Sequence, residues 1–352
     1  LQKGDYNQAE EAAQTVLNIL EQADLDPALE QISLMAQLIF VEVFKSRGEL
    51  DHSIELATAA FQKSEKMGDR FWAAEFLNIL ASLLWMKANY EETLQIYEHL
   101  MSLLEELGDQ HGMASVLLGI ANCLFMKGDY KQAFETYNWA KTQFSKLKDQ
   151  DGIATAIAGI ANVYYALGDY QQALSTMKVA LNIRMSLEGH EEKLAVLLAN
   201  IGNISHLMGD HNQALRYFSL ALDIFEEIND TPHIAGVLNN IGNVYLAQGD
   251  YEIALKKFEE SCEKAEATGQ KRHKAAALAN IAVVYTRRGN YTEATPLFEE
   301  TFRLRKKIGD LKGASNALVA IANLMHMQDK VCLLYTSPSP RDLSTSRMPS
   351  SA

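Results

Sequence analysis

Asn122, Asn162, Asn203 and Asn243 stand 40 or 41 residues apart, and Asn323 stands two further steps on. Each directly follows a small residue: Ala121, Ala161, Gly202, Gly242 or Ala322. A carboxamide both donates and accepts hydrogen bonds, so it can serve a guest or a neighbouring segment of its own chain. Inside a helix Asn is less favourable than Ala by roughly half a kcal/mol. Its return at one register therefore asks for a reason. Asn200, Asn239, Asn240 and Asn280 lie near the same surface. Two roles stay open for this set: binding, or fixing the stacking of repeated segments.

Other chemistry is harder to assemble. The nine histidines are scattered; His206 and His211 straddle a turn without a third ligand and read as surface or packing residues. Acidic pairs such as Glu105-Glu106, Glu191-Glu192 and Glu299-Glu300 sit beside apolar stripes and read as solvated faces. The glycines occur singly at turns, so none builds a phosphate cradle. Cys123, Cys262 and Cys332 form no CxxC pair, which points to a reducing compartment without a zinc site. The chain is accordingly read as not an enzyme, with no cofactor and no metal.

Composition narrows the partners. Thirty-two Lys+Arg against 45 Asp+Glu give a net charge of −13, which argues against nucleic acid, whose phosphates require positive charge. No apolar run approaches a membrane span, so the expectation is a cytoplasmic protein without a membrane partner. The charge is uneven. Residues 1–100 hold 7 basic and 17 acidic residues, whereas residues 271–310 hold 9 and 4, including Arg287, Arg288, Arg303 and Arg305. This basic stretch reads first as a solvated outer face. The alternative is a field that orients an acidic segment of a partner.

The elements that position these residues repeat. Gly-Asp-Tyr followed by Ala occurs at Gly4, Gly128, Gly168 and Gly249, with variants at Gly48, Ala88, Gly209 and Gly289. From Gly48 the step is 40 residues, with one step of 41 between Gly168 and Gly209; the first step, from Gly4, is 44. Each unit reads as two helices. In 234–248 Val237, Leu238, Ile241 and Tyr245 recur at helical spacing, and in 251–262 Tyr251, Ala254, Leu255 and Phe258 form the matching stripe. Gly249 accepts the left-handed angles that end the first helix, and Asp250 is placed to cap the second. Gly242 and Ala254 are small, as if two backbones approach closely there. One hairpin cannot bury its own apolar face, whereas stacked neighbours bury it jointly.

These positions resemble the tetratricopeptide repeat. The sixth repeat matches through Gly242, Tyr245, Gly249, Tyr251, Ala254 and Phe258, and the third through Ala121, Gly128, Tyr130, Ala133, Tyr137 and Ala140. The period is longer than the usual 34. It is similar to the extended class found in Pins-type scaffolds, kinesin light chains and bacterial Rap-like or MalT-like regulators, whose linker often reads as in Leu107-Gly108-Asp109. The resemblance implies an all-α fold, a right-handed superhelical solenoid of antiparallel helix pairs. It also implies that the asparagine register faces a concave groove and bonds an extended protein or peptide segment. Tyr165 and Phe125, with Trp85, Met86, Met126 and Tyr164, would line that groove or pack in the core. Ser115, Thr155, Val196 and Gly236 stand where chaperone-type members carry a basic carboxylate clamp, so that mode is not expected.

The expected organisation is a truncated first repeat at 1–26, a solenoid of about seven repeats at 27–330, and a non-native tail at 331–352. The run CLLYTSPSPRD at 332–342 is the translation of a transposase-type sequencing adapter. The chain also opens inside a repeat, so the native protein is expected to extend past both ends. The leading expectation is a protein–protein interaction scaffold. The alternative is the sensor or regulatory arm of a larger signalling protein or transcription regulator. A Rap-type regulator would need a separate helical bundle ahead of the repeats. The partner's identity and the oligomeric state are not legible.

Overall fold

The computed structural model of the protein describes residues 5–20 and 27–336, all in helices or the turns between them. The first helices of the repeats are α2 (Pro27–Arg47), α4 (Arg70–Met86), α6 (Gln110–Lys127), α8 (Gln150–Ala166), α10 (Glu191–Leu207), α12 (Thr231–Gln248), α14 (Lys271–Arg287) and α16 (Leu311–Thr336). The second helices are α1 (Asp5–Leu20), α3 (Leu50–Met67), α5 (Tyr90–Leu107), α7 (Tyr130–Leu147), α9 (Tyr170–Arg184), α11 (His211–Glu227), α13 (Tyr251–Ala267) and α15 (Tyr291–Lys307). The expected all-α array of helix pairs is what the chain forms. α16 continues past Val331 through Thr336, into the segment assigned to the tail. The rest of that tail lies outside the described residues.

Two compact units divide the chain, Leu1–Leu187 and Glu188–Ala352. The division falls within the single 41-residue step. In each unit every helix packs on the next in sequence, and first helices also touch first helices: α6 with α8, and α10 with α12 and α12 with α14.

The turns explain the helix lengths. Gly48, Gly128, Gly168, Gly209, Gly249 and Gly289 all take positive φ, which glycine adopts without penalty. Ala88 at 58°, Lys148 at 58° and Asn229 at 57° adopt the same region with side chains. The next residue starts the following helix. Asp129, Asp169 and Asp210 accept from the backbone N–H of Gln132, Gln172 and Gln213. Asp250 occupies the cap position without such a bond, so its contribution there is charge beside the helix's positive end.

The small residues of the first helices have a different role from the one expected. A Cβ at Gly242 would stand 2.5 Å from the Phe258 ring, and at Gly202 2.7 Å from that of Phe218. Glycine therefore seats an aromatic ring of the second helix rather than a second backbone. In the N-terminal unit the seat is displaced. Gly119 lies under Tyr97 and Gly159 under Tyr137, where an added Cβ would stand 2.4 and 2.3 Å from the ring. These tyrosines belong to the preceding repeat.

Repeat-to-repeat ion pairs recur at one register. Lys87 pairs with Asp51, Lys127 with Glu91 at 2.8 Å, and Arg288 with Glu252 at 2.6 Å. One pair is buried. Arg184 keeps 2% of its side-chain surface exposed and bonds Asp151 and the Thr155 hydroxyl, at the place where Phe144 stands one repeat earlier. Burial pushes the Arg184 guanidinium below its ordinary value, against the pull of Asp151 and Asp149.

Candidate functional site

The asparagines divide into three groups. Asn239, Asn243 and Asn280 meet: the Asn280 amide nitrogen donates to both carboxamide oxygens, at 3.0 Å each. The bond joins α14 to α12, so these three residues link successive repeats. Asn122 accepts from the Tyr137 phenol, within one helix pair. Burial pushes that phenol far above the usual tyrosine range, so it remains a donor. Asn162, Asn200, Asn203 and Asn240 are half-buried and Asn323 is exposed; none of them makes a side-chain hydrogen bond among the described residues.

The aromatic residues pack near turns. Phe125 is half-buried, joins the core around Ala121, Ala133 and Tyr137, and stands 5.5 Å from the Tyr130 ring. Tyr165 is exposed and stands 5.8 Å from the Tyr170 ring. In the N-terminal unit a cavity of about 350 Å³ opens between α7 and α8 beside Phe134 and Tyr164. Neither Phe125 nor Tyr165 lines it.

The larger cavity, about 650 Å³, lies in the C-terminal unit. It spans the ends of three successive first helices: His206 and Leu207 from α10, Asn243 and Leu246 from α12, and Val283 and Arg287 from α14, with Tyr251 closing one side. Only Asn243 belongs to the set chosen from sequence. Val283 occupies the asparagine register of its repeat, which interrupts the ladder there. Arg287 was visible only as part of a basic stretch. The sharper signal is its register, which elsewhere holds Ser46, Met86, Met126, Ala166, Leu207, Ala247 and Met327.

The charges follow the helix order. α10, α12 and α14 hold two carboxylates between them, Glu191 and Glu192 in the first turn of α10, whereas α11, α13 and α15 hold eleven. The first-helix wall of this unit is therefore neutral to basic in an acidic protein. His206 and His211 face each other, Nδ1 to Nδ1 at 3.4 Å. Burial, then the charge of His211, holds His206 below the usual histidine value.

One group could in principle hold a metal. Ligand atoms of Glu192, Asp230 and His233 lie within 4.8 Å of one another. Asp230 is already engaged as a helix cap, accepting from the backbone N–H and, at 2.6 Å, the ring of His233. That ring stacks on Phe225 at 4.8 Å. Its placement is accounted for by helix capping and packing. No helix among the described residues is long and apolar enough to cross a membrane.

Comparison with known proteins agrees with this architecture. Solved structures share the fold at low identity. A Rap protein complexed with Competence and Sporulation Factor is 17% identical, with a TM-score of 0.62 over 93% of this chain and 94% of that one. The apo quorum sensor NprR from B. thuringiensis is 16% identical, with a TM-score of 0.57 over 92% and 98%. A signal transduction ATPase with numerous domains and a tetratricopeptide repeat sensor, from Pyrococcus horikoshii, is 15% identical. Its TM-score is 0.62 over 93% of this chain and 51% of that one. No curated protein sequence matches the chain. Family models described as tetratricopeptide repeat match residues 72–146, 113–186 and 192–267, and further ones match 275–308 and 2–24. With the helix pairs, the glycine turns and the matched residues in agreement, the chain belongs to the tetratricopeptide repeat family.

Proposed function

We propose that the protein is an interaction scaffold whose first helices bind an extended peptide or protein segment. The observation that carries this reading is the set of carboxamides that make no side-chain hydrogen bond among the described residues. Asn162, Asn200, Asn203 and Asn240 sit inside helices, where Asn costs roughly half a kcal/mol relative to Ala, and no side-chain hydrogen bond among the described residues offsets that cost. Asn239, Asn243 and Asn280 spend two amide hydrogens and two oxygens on each other. Their remaining donors and acceptors are left for a guest. The cavity beside Asn243 supplies apolar wall for a side chain of such a segment.

The test is a selection of a random dodecapeptide library on the full chain and on the N162A/N203A/N243A variant. The expected result is a recovered sequence family that the variant loses while it stays folded. Peptides recovered equally by both proteins, or none by either, would contradict the reading.

A second reading, a sensor arm of a larger signalling protein, draws on the P. horikoshii ATPase, where repeats of similar fold are the sensor. An ATPase, cyclase or DNA-binding module in the same reading frame would favour it.

A further inference from the structure

Arg287 has no structural task that the rest of the repeat array assigns to its position. At that register the other repeats carry Ser, Met, Ala or Leu, so packing there is satisfied without charge. Arg288, next to it, is the member of the recurring ion-pair series, bonded to Glu252 at 2.6 Å. Arg287 is exposed and makes no ion pair among the described residues. Arg287 lines the cavity of about 650 Å³, whose apolar walls include Leu207, Leu246, Val283 and Tyr251, with Asn243, Gln248 and His206 as the neutral polar groups. No carboxylate lines that cavity. The two on the first helices, Glu191 and Glu192, begin α10, whereas His206 and Leu207 of the lining end it. A lone cation set among apolar groups and carboxamides, in a chain of net charge −13, is complementary to one negative group.

Resting on the peptide-binding reading, we propose that this cavity selects an acidic segment, with one carboxylate side chain of the guest paired to Arg287. The Asn243 amide and the His206 ring flank that carboxylate as hydrogen-bond partners. The planar guanidinium presents two parallel N–H donors to a carboxylate. The adjoining carboxamides take the guest's backbone, and the apolar walls take the methylenes of the acidic residue.

The same dodecapeptide library separates this proposal from the reading beneath it. Selection on the full wild-type chain should enrich Asp or Glu at one position. Selection on Arg287→Met should recover peptides without that enrichment. Met is native at this register in α4, α6 and α16, so the variant is expected to fold. For the best wild-type peptide, measured by fluorescence anisotropy, R287M should weaken binding about tenfold or more. Arg288→Met, which removes only the ion pair with Glu252, should change it less than about twofold. Peptides that lack acidic enrichment yet are lost on the asparagine triple variant would overturn the acidic selection alone. Acidic enrichment that persists in R287M would overturn the assignment of the carboxylate to this cavity. Recovery of no peptide would overturn both.

Discussion

The two units solve one packing problem in opposite directions. In the N-terminal unit Tyr97 and Tyr137 lie on glycines of the following repeat, Gly119 and Gly159. In the C-terminal unit Phe218 and Phe258 lie on glycines of their own repeat, Gly202 and Gly242. The position that was glycine in the first unit is then Asn240 or Asn280 in the second. Moving the ring's seat by one helix thus vacates a place on the first-helix wall, and carboxamides fill it. The tyrosine solution also consumes a carboxamide, because the Tyr137 phenol bonds Asn122. The same register is therefore structural in one repeat and free in another.

The sharpest way to break this comparison is to fill the seats. Gly159→Val and Gly242→Val should each destabilise by roughly 3 kcal/mol through overpacking, as read by chemical denaturation. Gly242→Ala should also destabilise, although Ala is native at that register in Ala121 and Ala161; a neutral result would remove the ring-seating account. Next in size is the Arg184–Asp151 pair, whose buried arginine stands where Phe144 and Phe225 carry rings. Asp151→Ala should cost about 2 kcal/mol by stranding Arg184, less than for a fully buried pair because the Asp151 side chain is 25% exposed. Restoring an aromatic with R184F in that background should recover most of the loss.

Tyr137→Phe should cost about 1 kcal/mol, the usual worth of a lost hydrogen bond. The reverse change, Phe258→Tyr, should gain less than that, because Asn243, at the register of Asn122, already accepts from Asn280; a gain as large as the Tyr137 loss would contradict the comparison. Smaller still are the asparagines. Asn203→Ala should raise stability by about 0.5 kcal/mol through helix propensity, since no bond is lost. Asn280→Ala should instead lower stability by about 0.5 kcal/mol or more, because the loss of its two bonds to Asn239 and Asn243 outweighs that gain. Equal responses would erase the distinction between free and bonded carboxamides.

The smallest effect is on acid titration. Burial alone would raise the Asp149 carboxyl, but the Gly152 N–H and the His111 ring outweigh it and hold it below its ordinary value. The Gly313 N–H, then Arg305, lower Asp310. A depressed carboxyl contributes stability above the ordinary carboxylate range, and that contribution is lost as pH falls through the folded value. NMR titration should place both midpoints below that of a free aspartate. A raised midpoint for either would contradict the capping geometry.

Much of this was legible in the residues. Gly-Asp-Tyr at fixed spacing carries the helix pair, because left-handed turns and caps are local and residue-specific. The family followed from the same positions. Ring seating was not legible: Gly242 signals closeness, but which ring approaches depends on the tilt of two helices. The split of the asparagines was hidden for a similar reason. Asn243 and Asn203 share a register, and an asparagine follows each one repeat on, Asn280 or Asn240, yet only Asn280 makes the bond, and it does so beside Asn239, where the earlier repeat has Ala199. Arg287 was obscured by its neighbours, since a run of basic residues reads as one feature until Arg288 is seen to be committed to Glu252.

Ala88 and Lys148 hold turns in a conformation that favours glycine. In a folded domain with shared long-range contacts, such misfits would tax the whole. Here each turn is answered mainly by the adjoining helices, since within each unit every helix packs mainly on its sequence neighbours. Each misfit remains a private debt of one hairpin. A lineage could tolerate or repair one hairpin at a time, and repeats of this kind can therefore diverge in sequence while the neighbouring helix pairs stay packed.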